Sequence, residues 1–219
     1  MGRYVLRRLL QTIPVLFIIS LVVFLAMQLA PGDPAMMRMG RAAARPENRA
    51  ALEKLRHEMG LDRPIYIQYL IWAKNALRGD FGNSNRSGRP VVELIMGRLP
   101  ASLELILISF LMSLVISIPL GILAALKQKT VVDSAVMGFA VAGVAIPGFW
   151  LGLTLILIFS VKLGWLPASG YVPFFENPVE SLRRALMPSI TLAVYLIATF
   201  TRFLRADMIE VLNEDYIRT

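Results

Sequence analysis

One carboxylate adjoins a long apolar stretch and is the residue best placed to do chemistry in a nonpolar environment. Glu104 directly precedes the uncharged run at residues 105–126. An ionisable residue at membrane depth is a functional-site hypothesis by default, because burying a charge is costly. Pro100 is predicted to begin this helix, which puts Glu104 near the positive end of the helix dipole, about one turn from the membrane interface. Two roles stay open for Glu104: a structural one, and contact with a substrate or a neighbouring subunit.

The remaining residue types exclude most kinds of catalytic site. The sequence has no cysteine and one histidine, His57, which excludes disulfides, a thiol nucleophile and a metal site built from several histidines. It has no constellation of nucleophile, base and orienting residue at membrane depth and no phosphate-binding loop of the G-x-x-x-x-G-K-[ST] type. We therefore expect no catalytic residue, no metal and no ATP hydrolysis by this chain.

The composition predicts a membrane protein. The chain of 219 residues is 56% hydrophobic and 17% charged, whereas soluble domains are about 25% charged. Uncharged runs at residues 9–30, 105–126 and 134–161 exceed the ~18 residues typical of a spanning helix, and the run at 185–201 just reaches the lower limit. The net charge of +8 fits basic flanks that meet anionic lipid and set orientation, so we expect no nucleic-acid partner.

Basic residues predict the orientation of these spans. Lys and Arg cluster before the first span, between the second and third, and after the fourth, so those segments are predicted to be cytoplasmic. The predicted organisation is a cytoplasmic N-terminus (1–8), TM1 (9–30), an extracytoplasmic segment with short helices (31–99), TM2 (100–126), a cytoplasmic loop (127–133), TM3 (134–161), an extracytoplasmic loop (162–184), TM4 (185–204) and a cytoplasmic region (205–219).

Periodicity and proline positions add local detail. Short helices are predicted over residues 47–59 and about 65–77, with Tyr66, Tyr69 and Trp72 suited to a membrane interface, and a turn-rich loop over residues 79–90. Asp33 is predicted to cap the exit from the first span. Prolines in the spans predict kinks, and pairs of small residues four apart predict close helix packing. The prolines are Pro14, Pro119, Pro147 and Pro188; the pairs are Ser117 with Gly121 and Gly148 with Gly152.

The last sixteen residues predict an amphipathic helix. Leu204, Met208, Leu212 and Tyr216 share one face, and Arg205, Asp207, Glu210, Asn213 and Glu214 the other. Because no capping signal closes the pattern before Thr219, we interpret the chain as ending inside a functional element. A helix resting on lipid would explain the apolar stripe, but its acidic residues would face an anionic leaflet. The pattern therefore favours docking onto a cytoplasmic partner protein.

Several local motifs, in this order, resemble the permease subunits of dipeptide and oligopeptide ABC importers over essentially the whole chain. The motifs are Leu29-Ala30-Pro31-Gly32-Asp33-Pro34, Leu61-Asp62-Arg63-Pro64, Arg78-Gly79-Asp80-Phe81-Gly82-Asn83-Ser84, Arg98-Leu99-Pro100-Ala101-Ser102-Leu103-Glu104-Leu105, Pro147-Gly148-Phe149-Trp150, Leu186-Met187-Pro188-Ser189-Ile190 and the tail from Met208 to Thr219. The resemblance implies an all-α, polytopic, MetI-like fold in the cell inner membrane with the N-terminus cytoplasmic. Four transmembrane helices are expected here and six in the family.

The resemblance also implies partners and site residues. It implies a homologous second permease subunit, two ATP-binding subunits that hold ATP and Mg, an extracytoplasmic substrate-binding protein and the lipid bilayer; no cofactor is expected in this chain. The implied ATPase-coupling region is Glu210, Glu214, Asp215, Tyr216, Ile217, Arg218 and Thr219. Candidate residues of the translocation pathway are Glu104, Pro147, Phe149, Trp150 and Pro188.

We therefore predict ATP-driven import of di- or oligopeptides by alternating access. Two other classes stay open at this point: a gradient-driven transporter or channel subunit, and a membrane scaffold that does not transport. The sequence does not choose between dipeptides, longer peptides, nickel chelates and glutathione as cargo.

Overall fold

A computed structural model describes residues 2–29, 32–84 and 86–214, and over these residues the chain is helical with no β-strand. The α-helices are α1 (Gly2–Leu29), α2 (Pro34–Met39), α3 (Arg49–Glu58), α4 (Ile65–Ala76), α5 (Val91–Leu126), α6 (Val131–Ala145), α7 (Gly148–Leu155) and α8 (Pro178–Leu212). A π-helix, Ile156–Lys162, continues α7, and short 3₁₀ helices at Gly40–Ala44 and Pro46–Asn48 connect α2 to α3. The chain forms two compact units, one ending at Gly97 and the other starting at Arg98.

Three of these helices are long and apolar enough to cross a membrane: α1, α5 and α8. Helix α6 and the helical segment that begins with α7 together meet the same criterion, so the described residues hold up to four spans. Helix α1 exposes apolar side chains along its whole length, as expected for a helix surrounded by lipid. The all-helical, polytopic fold predicted from the sequence is confirmed.

In the first unit, α4 packs against α1 through one buried tyrosine. The Tyr69 hydroxyl lies 2.8 Å from Ser20 Oγ. Its ring makes edge-on contacts with Phe17 and Phe24, with centroids 5.9 and 5.4 Å apart. Gln28 donates to the Gln68 side chain at 2.7 Å. The predicted α4 helix is confirmed, but Tyr69 packs against α1 and is not presented to a membrane interface, since only 7% of it is exposed.

Asp33 ties the start of α2 to α3. Its Oδ1 accepts a hydrogen bond from the Ala35 backbone N–H at 2.8 Å, which makes it the N-cap of α2. Asp33 was predicted as a turn residue that caps the exit from the first span, and helix α2 was not predicted. Its Oδ2 accepts from Arg56 Nε at 2.7 Å and from Arg56 Nη2. Burial raises the pKa of Asp33, but the hydrogen bonds from Arg56 and Ala35 outweigh it and leave the pKa below its usual value.

The second unit is built around α8, which packs against both α6 and α7. Small residues allow the close approach. A methyl group added at Gly121 of α5 would lie 3.0 Å from Leu204 Cβ, and one at Gly143 of α6 would lie 3.2 Å from Ala198 Cβ. Ser117 is almost fully buried beside Gly121 on α5. The predicted close-packing role of Ser117 and Gly121 is therefore confirmed.

The proline at residue 147 does more than kink a helix. Ile146 and Pro147 have extended backbone, with ψ of 120° and 128°, and the helices on either side meet at 95°. Proline lacks an N–H and disfavours helical geometry in the residue before it, so the helix ends at Ala145 and a new one begins at Gly148. A kink was predicted at Pro147, and the structure shows a complete break there, so residues 134–161 form two helices. Pro14, Pro119 and Pro188 do not interrupt their helices, since α1, α5 and α8 continue through them.

Three predicted helix ends differ from the structure. Helix α5 begins at Val91 and contains Pro100, because one lost backbone hydrogen bond does not end a long helix whose neighbouring residues favour it. Helix α8 extends beyond residues 185–204 on both sides, since Asn177 caps its start through a bond to the Glu180 N–H. It also ends at Leu212, short of Thr219, where the Asn213 side chain donates to the Ile209 carbonyl at 2.8 Å.

Candidate functional site

A large cavity in the second unit lies where the helix break faces α8. Its volume is about 1190 Å³, and it is bounded by α5, the α6–α7 break, α8 and the loop at residues 167–170. Apolar side chains dominate the wall, including Ile106, Phe110, Ile146, Phe149, Leu192 and Leu196. Apolar walls with a few polar groups are typical of small-molecule sites.

Arg184 supplies the positive charge in this wall. Its Nε donates to Glu180 Oε1 at 2.8 Å, one turn earlier on α8, and its Nη1 donates to the Ser169 carbonyl at 2.8 Å. The neighbouring Gly170 has a φ of +110° and passes so close to the guanidinium that a Cβ there would collide with it. One arginine thus holds together the loop and the first turns of α8.

A smaller cavity of about 120 Å³ adjoins the first and holds the negative charge. The Glu104 carboxylate of α5 accepts a hydrogen bond from the buried Ser181 hydroxyl of α8. Partial burial and the neighbouring Glu104 carboxylate raise the pKa of the Tyr171 hydroxyl. Gly170, Arg184 and Pro188 line both cavities. A carboxylate and a guanidinium therefore lie at adjoining cavities.

The predicted pathway residues are only partly brought together. Phe149 lines the large cavity, Pro188 lines both, and Glu104 lines the small one. Pro147 creates the break beside the cavity without lining it, and Trp150 points elsewhere with 53% of its surface exposed.

Part of the predicted coupling region is described. Glu210 is exposed in the last turn of α8, and Glu214 is exposed just beyond it. The other predicted members, Asp215, Tyr216, Ile217, Arg218 and Thr219, lie outside the described residues.

Sequence reasoning missed a buried ion pair near this end of α8. Arg205 donates from Nε to Asp133 Oδ1 at 2.6 Å and from Nη2 to Asp133 Oδ2 at 2.7 Å. The Lys129 backbone N–H donates to the same carboxylate at 3.0 Å. Arg205 was predicted to belong to the polar face of the terminal helix, and its pairing with Asp133 was not predicted. The sequence held one signal for this pair, which is the position of Asp133 directly before an uncharged run. A carboxylate at the start of a membrane span needs a partner of opposite charge.

Comparison with known proteins identifies the family of this chain. Residues 1–106 match the model described as the N-terminal part of the binding-protein-dependent transport system membrane component, and residues 117–219 match the binding-protein-dependent transport system inner membrane component. A putative peptide transport system permease of Brucella abortus (strain 2308) is 39% identical over 219 residues, covering 100% of this chain and 68% of that protein. The chain belongs to this permease family.

Two further relatives carry more specific names. The oligopeptide transport system permease protein AppB of Bacillus subtilis is 41% identical over 222 residues, covering 100% of this chain and 69% of AppB. The glutathione transport system permease protein GsiC of Escherichia coli K12 is 41% identical over 219 residues, covering 100% of this chain and 68% of GsiC. The predicted resemblance is therefore confirmed, and this permease is an inner-membrane component of a binding-protein-dependent transport system.

Proposed function

We propose that this permease imports small peptides, and that the cavity at the α6–α7 break lies on their path. The proposal is supported above all by that cavity, because a helix broken within an apolar segment is tolerated at membrane depth where its backbone is buried in protein or lines a water-filled cavity. The relatives named for oligopeptides and for glutathione share peptide-like cargo. Such molecules carry both charge signs, as do the adjoining cavities with Glu104 and Arg184.

The energy for import comes from other chains in this proposal. A homologous second permease subunit completes the pathway, two ATP-binding subunits hold ATP and Mg, and an extracytoplasmic substrate-binding protein delivers the peptide. The N-terminus and the region after residue 204 are cytoplasmic, and Glu210, Glu214 and the residues up to Thr219 contact an ATP-binding subunit. This chain contributes no catalytic residue and no cofactor.

Peptide uptake in proteoliposomes tests the function. The permease is reconstituted with its partner subunits, and uptake of a labelled peptide is measured with ATP, without ATP, and with an ATPase-dead partner. Uptake only in the first condition supports the proposal. Uptake that persists with the dead partner would indicate a gradient-driven transporter or channel, and no uptake under any condition would favour a scaffold.

A cavity-filling substitution tests the path itself. Leu192 lines the large cavity, so Leu192→Trp is expected to lower uptake roughly tenfold or more by blocking it. Val115 is 73% exposed on α5 and does not line that cavity, so Val115→Trp is the matched control and should transport like the parent. Normal uptake by Leu192→Trp would remove the cavity from the path.

The orientation is testable because these 219 residues contain no cysteine. Single cysteines at Gln128 and Asn83 are treated with a membrane-impermeant maleimide in intact spheroplasts. Labelling at residue 83 but not at residue 128 is expected until the membrane is permeabilised. The reverse pattern would overturn the proposed topology.

A further inference from the structure

The Asp133–Arg205 pair is the most completely buried ion pair among the described residues. The Asp133 side chain is 7% exposed and the Arg205 side chain 25% exposed. Both carboxylate oxygens are used, one of them twice, because the Lys129 N–H adds to the two arginine bonds. A bidentate pair of this kind fixes the orientation of the two groups as well as their distance.

The pair connects two elements that both reach the large cavity. Asp133 lies in the first turn of α6, and α6 ends at the break that faces the cavity. Arg205 lies on α8, whose earlier residues Thr191 and Leu192 line the same cavity, about 20 Å away at 1.5 Å per residue. Both helices are continuous between these points. Each therefore forms a rigid connection between the ion pair and the cavity.

Helix α8 continues beyond the ion pair to Glu210. No proline or chain break interrupts α8 between Arg205 and its end at Leu212. Helix packing next to the pair is also tight, since Leu204 touches Gly121 of α5. A displacement applied to the last turns of α8 would therefore reach α6 through a bidentate side-chain contact of defined orientation.

We propose that Asp133 and Arg205 are positioning residues that transmit movement of the α8 end to the broken helix, coupling ATP hydrolysis by a partner to opening of the cavity. This proposal rests on the proposed function, because it assigns the α8 end to the ATP-binding subunit. Neither residue touches the transported molecule. Their role is to make α6 and α8 move as one body.

A purely structural role predicts a different behaviour on mutation. A single neutralisation leaves one buried charge without a partner, which lowers assembly for any role. The double variant Asp133→Asn/Arg205→Gln removes both charges together, so it leaves no unpaired buried charge but lacks the bidentate contact. If the pair only stabilises, this double variant works normally. If the pair transmits movement, the double variant assembles but stays uncoupled.

The test measures coupling in the complete reconstituted complex. Peptide uptake and ATP hydrolysis are measured for the same amount of assembled complex, and their ratio is compared with that of the parent. The double neutral variant should keep basal ATP hydrolysis while the ratio falls about tenfold, within the range typical of coupling between sites. The charge swap Asp133→Arg/Arg205→Asp should recover most of the ratio. Glu93→Gln, which breaks the exposed pair with Arg89, is the control and should leave the ratio unchanged.

The outcomes separate this proposal from the proposed function. A parent complex that shows no ATP-dependent uptake overturns the function itself. A parent that transports, together with a double neutral variant of unchanged ratio, overturns the coupling role alone. If the swap does not assemble, bridging Asp133→Cys/Arg205→Cys with a bifunctional thiol reagent replaces it, since the chain has no other cysteine. A bridged complex that remains uncoupled counts against the proposal.

Discussion

Each of the two units of this permease contains an aspartate–arginine pair, and the two pairs differ in how their residues meet. In the first unit, Asp33 pairs with Arg56 and also caps α2. In the second unit, Asp133 pairs with Arg205 and joins α6 to α8. The first arginine side chain is 41% exposed and the second 25%, while the aspartates are 21% and 7% exposed.

The first pair belongs to a local structure, whereas the second pair is a tertiary contact between helices that are distant in sequence. The capping role of Asp33 is set by its sequence neighbours. A helix that starts at Pro34 needs a hydrogen-bond acceptor just before it for its free backbone N–H groups. Asp133 and Arg205 are 72 residues apart in the chain and meet only after α8 has packed on α6. Solvent can replace a lost partner at the first pair. Solvent reaches the second pair less, so the consequences of mutation should be larger there.

Removing Arg205 tests this contrast most strongly. Arg205→Gln leaves the Asp133 carboxylate buried and unpaired, so we expect the free energy of unfolding in detergent micelles to fall by about 3–5 kcal/mol. Denaturant titration of the purified permease measures it. Arg202→Gln is the matched control, because Arg202 is exposed on the same helix, and its effect should stay within about 0.5 kcal/mol. Equal effects of the two variants would show that the pair adds nothing specific.

Adding one methyl group beside the second pair should have the next largest effect. Gly121→Ala places Cβ 3.0 Å from Leu204 Cβ and Cδ2, so Leu204 must shift by a few tenths of an ångström next to Arg205. We expect a loss of about 1–3 kcal/mol in the free energy of unfolding, as for other overpacked cores. Gly138→Ala on α6 is the control, since nothing lies within 4 Å of its added Cβ. A stability of Gly121→Ala at or above that of the control would contradict the close packing.

The same distinction explains how much could be predicted from the sequence. The uncharged runs identify the spans, because a helix in lipid must be apolar over its length. The Asp33 cap and the Ser117–Gly121 packing pair are local patterns and were predicted. The break at Pro147 was predicted only as a kink, since Pro14 and Pro188 carry the same local signal and leave their helices intact.

Contacts between distant residues could not be predicted in this way. Arg205 fits the polar face of an amphipathic helix by periodicity, and only the approach of α6 assigns it to the interior. Arg184 lies at the edge of the fourth apolar run and looks like an interfacial charge, yet it binds Ser169 and lines both cavities. Periodicity finds the faces of a helix but not their neighbours.

The first pair should tolerate mutation better, and two substitutions divide its two functions. Asp33→Ala removes both the cap and the ion pair, so we expect a loss of about 1–2 kcal/mol in the free energy of unfolding. Asp33→Asn keeps an acceptor for the Ala35 N–H and should lose about half of that or less. The same denaturant titration measures both. If Asp33→Asn is as unstable as Asp33→Ala, the ion pair with Arg56 matters more than the cap.

The smallest expected effect is the loss of the stabilising Asp33 charge in acid. The folded-state pKa of Asp33 is lowered, so its ionised form stabilises the fold above its unfolded-state pKa, and this contribution disappears as the pH falls through the folded-state value. The parent should therefore be more stable than Asp33→Asn at pH 7, and the gap should close below about pH 4. Thermal unfolding midpoints of both proteins between pH 7 and pH 3 measure the gap. A gap that stays constant over this range would mean that the Asp33 charge contributes nothing to it.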